Sequence, residues 1–235
     1  MRESISSESR NPKVKPRIKI GTATLPDGSI MELIQHDQDF MLTVNRDVLM
    51  STRLRLSEEV LAELGLAKIP ANANILIGGL GMGFTLQAAL HLCSPTAVVN
   101  QAELVPEIVE WNHGPLAEKN GHAIDDARVK IHLADVVHVL YESPDCFDAI
   151  ILDVDNGPSA MVSPENASLY SDVGLSACFE ALKEEGRLTV WSADDDNAFK
   201  KRMRNAGFQV SMQKVRGSRG KGGPRHVIFI GDKIT

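Results

Sequence analysis

An apolar strand that runs directly into a glycine-rich loop constrains the fold of this chain more than any other feature. Ile75-Leu76-Ile77 is followed by Gly78-Gly79-Leu80-Gly81-Met82-Gly83, and a helix is predicted from there to about His91. Glycines at such a place allow a tight turn and let the backbone approach a bound molecule with no Cβ in the way. Glycines also close ordinary turns, but the order strand, loop and helix favours a binding loop.

Strands and helices alternate through residues 51–235, which are predicted to form one ligand-binding α/β domain. Its first helix is expected to run to about Leu66 with Ser57 as the N-cap. Short connections imply parallel strands with helices on both faces, and the last two strands, which lack a helix between them, are expected to pair as an antiparallel hairpin. This is the topology of class I methyltransferase-like folds, which are Rossmann-like. The predicted strands are 74–77, 97–102, 129–132, 147–153, 187–191, 208–213 and 226–230.

The N-terminal region has a different pattern. Residues 1–16 combine Ser, Arg, Lys and Pro without periodicity and are predicted to be a disordered tail. Three β-prone runs within residues 17–50 predict a small N-terminal β segment, either a hairpin or a meander. Turn residues at Pro26-Asp27-Gly28 and Asn45-Arg46-Asp47 separate these runs.

Charge and composition argue against several classes of function. The net charge of −6 argues against a nucleic-acid-binding protein that neutralises phosphates. The N-terminus lacks the apolar core of a secretory signal, and no run of about 18 apolar residues predicts a membrane span. We therefore expect a cytoplasmic protein without nucleic-acid or membrane partners. Neither the three cysteines nor the seven histidines show a metal-ligand spacing, so no metal is expected.

Two acidic residues follow the strands that come after the glycine loop. Glu103 lies 20 residues after Gly83, where a carboxylate can accept hydrogen bonds from both ribose hydroxyls; a solvated surface position is the alternative. Asp135 has two open roles, because it can accept a hydrogen bond from an adenine amino group or cap the next helix. The spacing Gly79-x-Gly81-x-Gly83 differs from the dinucleotide pattern and favours an adenosyl-sulfonium ligand, which has no pyrophosphate.

The most apolar strand ends in a group of polar residues. Residues 147–152 are typical of a central strand, and Asp153-Val154-Asp155-Asn156 follow it directly. Ligands of open α/β sheets bind at this carboxyl edge, where a carboxylate can hold a substrate amine or take its proton during attack on an electrophilic carbon. Asp153, Asp155 and Asn156 are therefore predicted to be catalytic, and a capped turn before Gly157-Pro158 is the alternative.

Taken together, residues from about 49 to 191 resemble the spermidine synthase family. The resemblance implies that Glu103 binds ribose, that Asp135 binds adenine, and that Asp153 orients and deprotonates an amine nucleophile. It also implies S-adenosylmethionine or its decarboxylated form as co-substrate, a small-molecule acceptor, and a homodimer. The segments that carry it are Glu59-Val60-Leu61-Ala62, Ile77-Gly78-Gly79, Glu103-Leu104, Asp126-Ala127-Arg128-Val129 leading to Asp135, and Phe147-Asp148-Ala149-Ile150-Ile151-Leu152-Asp153. The donor-binding residues would be Gly78, Gly79, Gly81, Gly83, Glu103, Asp135 and Asp153.

The chain departs from the family pattern where the family places amine-binding groups. Gly81 stands where the family loop, Gly-Gly-Gly-Asp-Gly, has its carboxylate. The family's Asp-Glu-Phe-x-Tyr segment is Arg53-Leu54-Arg55-Leu56-Ser57 here, and its upstream glutamine corresponds to Leu49 or Met50. Asn156 stands for the second Asp of the family's Asp-x-x-Asp-Pro motif. The resemblance therefore implies a retained donor pocket and an altered polyamine pocket.

These observations lead to three hypotheses about function. The first, which the sequence favours, is a spermidine synthase-like transferase that moves an aminopropyl or related group from an S-adenosylmethionine-type donor to an amine. The second is an S-adenosylmethionine-dependent methyltransferase, since the fold does not decide which group moves. The third is a non-catalytic relative that only binds the ligand, against which the polar run Asp153–Asn156 argues.

Overall fold

Two separate β-sheets organise the structure, a computed structural model that describes residues 15–154, 157–158, 168–218 and 223–234. The first sheet is an antiparallel meander in the order β1-β2-β3-β4, and its strands are β1 (Arg17–Thr24), β2 (Ile30–His36), β3 (Asp39–Val44) and β4 (Asp47–Ser51). The predicted tail, residues 1–16, lies outside the described residues except for its last two. The tail and the proposed domain boundaries stay predictions.

The strand β4 was not predicted, because Asn45-Arg46-Asp47 was interpreted as a break. The turn needs only two residues: Asn45 and Arg46 both have positive φ, 50° and 77°, and Val44 pairs directly with Asp47. Positive φ at both central residues is the type I′ arrangement, whose twist suits a tight hairpin. The chain therefore returns at once and adds a fourth strand to the meander.

The second sheet has seven strands and runs through the centre of the rest of the chain. Its strands are β5 (Asn74–Gly78), β6 (Val98–Glu103), β7 (Val129–Leu133), β8 (Phe147–Leu152), β9 (Leu182–Ser192), β10 (Gln209–Arg216) and β11 (Arg225–Asp232). Their order across the sheet is β10-β11-β9-β8-β5-β6-β7. β5 to β9 are parallel, whereas β11 is antiparallel to β9 and β10 to β11. The predicted class I methyltransferase-like fold, with its C-terminal hairpin and N-terminal meander, is confirmed.

The helices of the described residues are α1 (Leu56–Leu66), α2 (Phe84–Leu92), α3 (Pro106–His113), α4 (Val136–Tyr141), α5 (Asp172–Ala181) and α6 (Asn197–Asn205), with a 3₁₀ helix at Ala123–Asp125. The prediction that Ser57 caps α1 is wrong. The helix begins at Leu56, so Ser57 lies inside its first turn, and its Oγ donates to Glu58 Oε2 at 2.6 Å. Arg55 holds the N-cap position without a side-chain cap.

The start of β9 also differs from the prediction of a strand at 187–191. Its pairing with β8 jumps from Leu182–Phe147 to Arg187–Ala149, so the residues between Leu182 and Arg187 bulge out of the ladder. Glu185 has a φ of 62° within this bulge. Such bulges depend on one extra stretch of chain and are not visible in a hydrophobic pattern.

Apolar side chains alternate between the two faces of the large sheet and form two core layers. In β5, Ile75 and Ile77 face the layer that contains α1, α2, α3 and the N-terminal sheet, and Leu76 faces the layer of α4, α5 and α6. All three side chains are fully buried. The N-terminal sheet is held close at Gly21, where a Cβ atom would lie 2.7 Å from Trp111 Nε1 of α3. The meander therefore covers one end of the large sheet.

A buried arginine joins three elements at the opposite end. Arg187 of β9 donates from Nε and Nη2 to the two carboxylate oxygens of Asp232 in β11, at 2.7 and 3.1 Å. Its Nη1 donates to the carbonyl of Leu64 in α1 at 2.9 Å. A bidentate pair of this kind is strong, and the loss of one partner leaves a buried charge uncompensated.

Asp232→Asn should lower the free energy of unfolding by about 3 kcal/mol, because the buried Arg187 loses its counter-charge. Urea denaturation followed by circular dichroism measures the change. Glu63→Gln is the matched control, since Glu63 is exposed on α1 and should change stability by no more than about 0.5 kcal/mol. Equal effects of the two substitutions would contradict the structural role of Arg187.

Candidate active site

A cavity of about 400 Å³ lies between the N-terminal sheet and the carboxyl edge of the large sheet. The glycine loop, Glu103, Asp135 and Asp153 all contribute to its wall, so residues from four neighbouring strand ends meet there. This volume suits a small molecule. No Lys or Arg occurs among the described residues that line it.

The glycine loop adopts a backbone that other residues avoid. Gly79, Gly81 and Gly83 have φ values of 84°, 50° and 79°. A Cβ at Gly79 would lie 2.3 Å from the carbonyl oxygen of Asp153, so the loop packs directly on the chain that leaves β8. Gly79 and Gly81 line the cavity. Gly78 and Gly83 are not among the lining residues, and a Cβ at Gly78 would meet Leu152 and Val136 at 2.9 Å.

Two buried asparagines hold the loop from behind, and sequence reasoning missed both. Asn112 Nδ2 donates to the carbonyl of Gly81 at 2.9 Å, and Asn120 Nδ2 donates to the carbonyl of Met82 at 3.1 Å. Asn120 Nδ2 also donates to Asn112 Oδ1 at 2.6 Å. Both side chains are fully buried. A Cβ at Gly83 would lie 2.6 Å from Asn120 Nδ2, which gives this glycine a packing role.

Glu103 fixes the loop from the side of β6. Its Oε2 accepts from the backbone N–H of Leu80 at 2.9 Å, and its Oε1 accepts from those of Leu104 and Val105 at 2.8 and 2.9 Å. Burial raises the pKa of this carboxyl, and the backbone hydrogen bonds act in the opposite direction. A carboxylate has about four acceptor positions, so a ligand hydroxyl at Glu103 would share its oxygens with these backbone N–H groups. The ribose role of Glu103 stays a prediction.

Asp135 lies at the start of α4 and on the cavity wall. Its Oδ1 accepts from the backbone N–H of Val137 at 2.9 Å, so the capping alternative is confirmed. The same side chain still borders the cavity, and the two roles do not exclude each other. A contact with adenine stays a prediction.

Asp153 follows β8 directly and lines the cavity. Its Oδ2 accepts from Thr85 Oγ1 of α2 at 2.6 Å. Part of its surface is open to the cavity, yet desolvation by the surrounding protein raises the pKa of Asp153 to about 6. The hydrogen bond from Thr85 acts in the opposite direction and lowers this pKa. The other two predicted catalytic residues, Asp155 and Asn156, lie outside the described residues.

A fourth carboxylate on the cavity wall was not predicted. Glu58 of α1 is 6% exposed, and no basic residue of the described chain pairs with it. Burial and then the charge of Asp153 raise the pKa of Glu58 to about 7. In the sequence Glu58 resembles any acidic residue in the first turn of a helix, which is a common and solvated position. Only the packing of α1 against the site reveals it.

Three other cavity residues were not predicted. The Trp191 and His226 rings lie 4.6 Å apart between centroids, and both residues line the cavity. Trp191 Nε1 and His226 Nδ1 are buried and have no hydrogen-bond partner among the residues that the structure describes, and burial lowers the pKa of His226. The Sδ atom of Met50 lies 2.8 Å from the place where a Cβ at Gly81 would be.

Within the described ranges, no group of three or more His, Cys, Asp or Glu side chains is arranged to hold a metal ion. In the same ranges, the helices are too short or too polar for any of them to cross a membrane. The expected lack of a metal, the cytoplasmic location and the homodimer stay predictions.

Comparison with known proteins identifies a family. Residues 55–215, more than half of the chain, match the family described as the spermine/spermidine synthase domain. A comparison with curated protein sequences finds no match.

Solved structures give the same fold. A spermidine synthase in complex with the transition-state analogue AdoDATO has a TM-score of 0.76 and 21% identity, over 92% of this chain and 73% of that one. The spermidine synthase from Thermotoga maritima has a TM-score of 0.74 and 19% identity, over 92% and 72%. A probable spermidine synthase from Corynebacterium glutamicum has a TM-score of 0.61 and 17% identity, over 91% and 79%.

Gly79→Ala should lower the free energy of unfolding by about 3 kcal/mol, because it adds a clash with Asp153 to the cost of a positive φ. Gly28→Ala is the matched control. Gly28 has nearly the same φ, 82°, but open space around it, so the expected loss is about 1 kcal/mol. Denaturant titration of both variants measures the difference. Similar losses would show that the close approach of loop and strand end is not a constraint.

Glu58→Gln should reduce the loss of stability that accompanies rising pH. Burial raises the pKa of Glu58 from an ordinary 4.5 to about 7, so between these values the folded state binds more protons than the unfolded state. The free energy of unfolding of the native protein therefore falls as the pH rises from about 4.5 to about 7. The neutral amide removes this contribution.

Thermal unfolding between about pH 5 and about pH 8 measures the effect of Glu58→Gln. Glu63→Gln, an exposed position on the same helix, should keep the pH dependence of the native protein. If Glu58→Gln and Glu63→Gln give the same curve, Glu58 does not titrate in this window.

Proposed function

Since this chain belongs to the spermine/spermidine synthase family, whose members are transferases, we propose that it moves an aminopropyl group from decarboxylated S-adenosylmethionine to an amine-type small molecule. The observation that supports this most is the charge of the cavity. Four carboxylates border it, Glu58, Glu103, Asp135 and Asp153, without a lining Lys or Arg among the described residues. A cavity of this kind suits a cationic ligand such as a sulfonium or an ammonium ion.

The donor would bind along the carboxyl edge of the parallel strands. Gly79 and Gly81 let its nucleoside approach the loop backbone, and Glu103 accepts a hydrogen bond from the ribose. Asp135 accepts from the adenine amino group while it continues to cap α4. Val136 and Ala134, which line the same wall, offer apolar surface to the adenine ring.

Asp153 would act as the general base. An ammonium group of the acceptor gives one proton to this carboxylate, and the neutral amine then attacks the carbon that is bonded to sulfur. The new C–N bond forms while the C–S bond breaks, and the electron pair stays on sulfur. The sulfonium thus becomes a neutral thioether, methylthioadenosine, and the product leaves as a secondary ammonium ion. The Thr85 hydroxyl holds one oxygen of Asp153, and Asp155 and Asn156 remain candidates to hold the amine.

Most of the rate enhancement would come from alignment of the nucleophile, carbon and sulfur within one cavity. A base with a pKa near 6 is ionised at neutral pH and still accepts a proton readily in a site of low dielectric. The initial rate at low acceptor concentration should therefore rise as the pH increases through about 6.

Titration calorimetry with S-adenosylmethionine and its decarboxylated form tests the donor. We expect the decarboxylated form to bind more tightly, whereas tighter binding of the intact form would favour methyl transfer. That alternative has one specific support: Gly81 places no carboxylate beside the donor tail, so the carboxylate of intact S-adenosylmethionine meets no repulsion there. If neither form binds, the transferase proposal is overturned.

Asp153→Asn should lower kcat by about 100-fold, because the amide cannot take the proton. Its affinity for the donor should change by less than about tenfold. Asp172→Asn, at an exposed position in the first turn of α5, is the matched control and should keep full activity. Product mass spectrometry after incubation with an amine panel provides the readout. Unchanged turnover in Asp153→Asn would refute the general-base role.

A further inference from the structure

Four carboxylates line the cavity, and two of them, Glu58 and Asp153, remain when the proposed donor takes Glu103 and Asp135. These two lie close enough to interact, since burial and then the charge of Asp153 raise the pKa of Glu58. Among the described residues, neither Glu58 nor Asp153 has an ion pair with a basic side chain. Two buried carboxylates repel each other, and a cation between them removes that repulsion.

The part of the cavity wall that comes from the N-terminal sheet carries no charge. The residues between 25 and 51 that line the cavity are apolar apart from Ser51; they include Leu25, Met31, Leu42, Val48, Leu49 and Met50. Val48 of β4 is 59% exposed, and Leu54, which lines the cavity between β4 and α1, is 38% exposed. Large apolar side chains open to a cavity are stabilised when an apolar ligand covers them.

Met50 extends this apolar wall as far as the glycine loop. Its thioether lies so close to Gly81 that a Cβ there would be 2.8 Å from the sulfur atom, so a longer side chain at position 81 would displace Met50. The Glu103 carboxylate, which holds the same loop, already accepts from the backbone N–H groups of Leu80, Leu104 and Val105.

We propose that the acceptor of this enzyme is a monoamine, whose ammonium group lies between Glu58 and Asp153 and whose apolar body packs against the N-terminal sheet. This inference rests on the proposed function, because it assigns the remaining part of the donor cavity. Glu58 is then the residue that positions the cation, and Asp153 is the carboxylate that accepts its proton. An α,ω-diamine fits less well, because its second cationic end meets Leu, Val and Met side chains.

The sharpest test compares n-pentylamine with diaminobutane, which have chains of the same length and differ by a methyl group in place of an ammonium group. Each is titrated calorimetrically into the protein saturated with methylthioadenosine, so that no reaction occurs. We expect n-pentylamine to bind at least about tenfold more tightly. Equal affinities, or tighter binding of the diamine, would overturn the monoamine assignment.

Two variants test the placement of the two ends. Glu58→Gln should weaken n-pentylamine binding by about tenfold while methylthioadenosine binding stays unchanged, which also shows that the variant is folded. Glu63→Gln is its control on the same helix and should bind n-pentylamine as the native protein does. Val48→Glu adds a carboxylate to the exposed apolar wall and should raise the affinity for diaminobutane by several-fold. A Glu58→Gln variant that binds n-pentylamine normally would contradict the cation site.

The binding measurements distinguish failure of the proposed function from failure of the monoamine assignment. If neither methylthioadenosine nor a donor binds, the proposed function fails. If the nucleoside binds and diaminobutane is then the preferred amine, the proposed function stands and the monoamine inference is wrong.

Discussion

The close approach between the glycine loop and the end of β8 is the constraint on which the site depends. Gly79 lies so near the carbonyl oxygen of Asp153 that no side chain fits between them. The parallel pairing of β5 with β8 places their ends side by side, this contact lets the loop pack on the end of β8, and Glu103 fixes the same loop to β6 through the N–H of Leu80. Three strand ends are thereby joined at one edge, and the cavity forms where they meet.

Much of the fold and part of the site could be predicted from the sequence. Short apolar runs bounded by turn residues located the strands of the large sheet to within a few residues, because buried parallel strands are apolar and short. The acidic residues at strand ends were found by the same logic, since the topology places every such end at one edge. The irregular start of β9 and the short strand β4 were missed, because a bulge and a two-residue turn leave no periodic signal.

The missed site residues share a physical reason. Glu58, Met50 and Trp191 reach the cavity only through the packing of α1, the N-terminal sheet and β9 around the strand ends. Their local sequence offers an ordinary first-turn acid, an ordinary strand residue and an ordinary aromatic. Asn112 and Asn120 are similar, because buried amides that hold a loop from behind look the same in sequence as solvated ones. Tertiary packing, and not local pattern, assigns these roles.

The burial of the Glu58 and Asp153 carboxyls costs stability, and the fold does not require carboxyl groups at these two positions. Each carboxyl loses hydration, which raises the pKa of Glu58 to about 7 and that of Asp153 to about 6, and the charge of Asp153 adds to the rise at Glu58. Apolar residues of similar volume at these places would stabilise the empty protein. The Glu58–Asp153 pair is unfavourable when both carboxylates are charged and no cation is present, so the empty site binds a proton. A cationic ligand that enters the site can displace this proton. The instability of the empty cavity is therefore a source of its selectivity for positive charge.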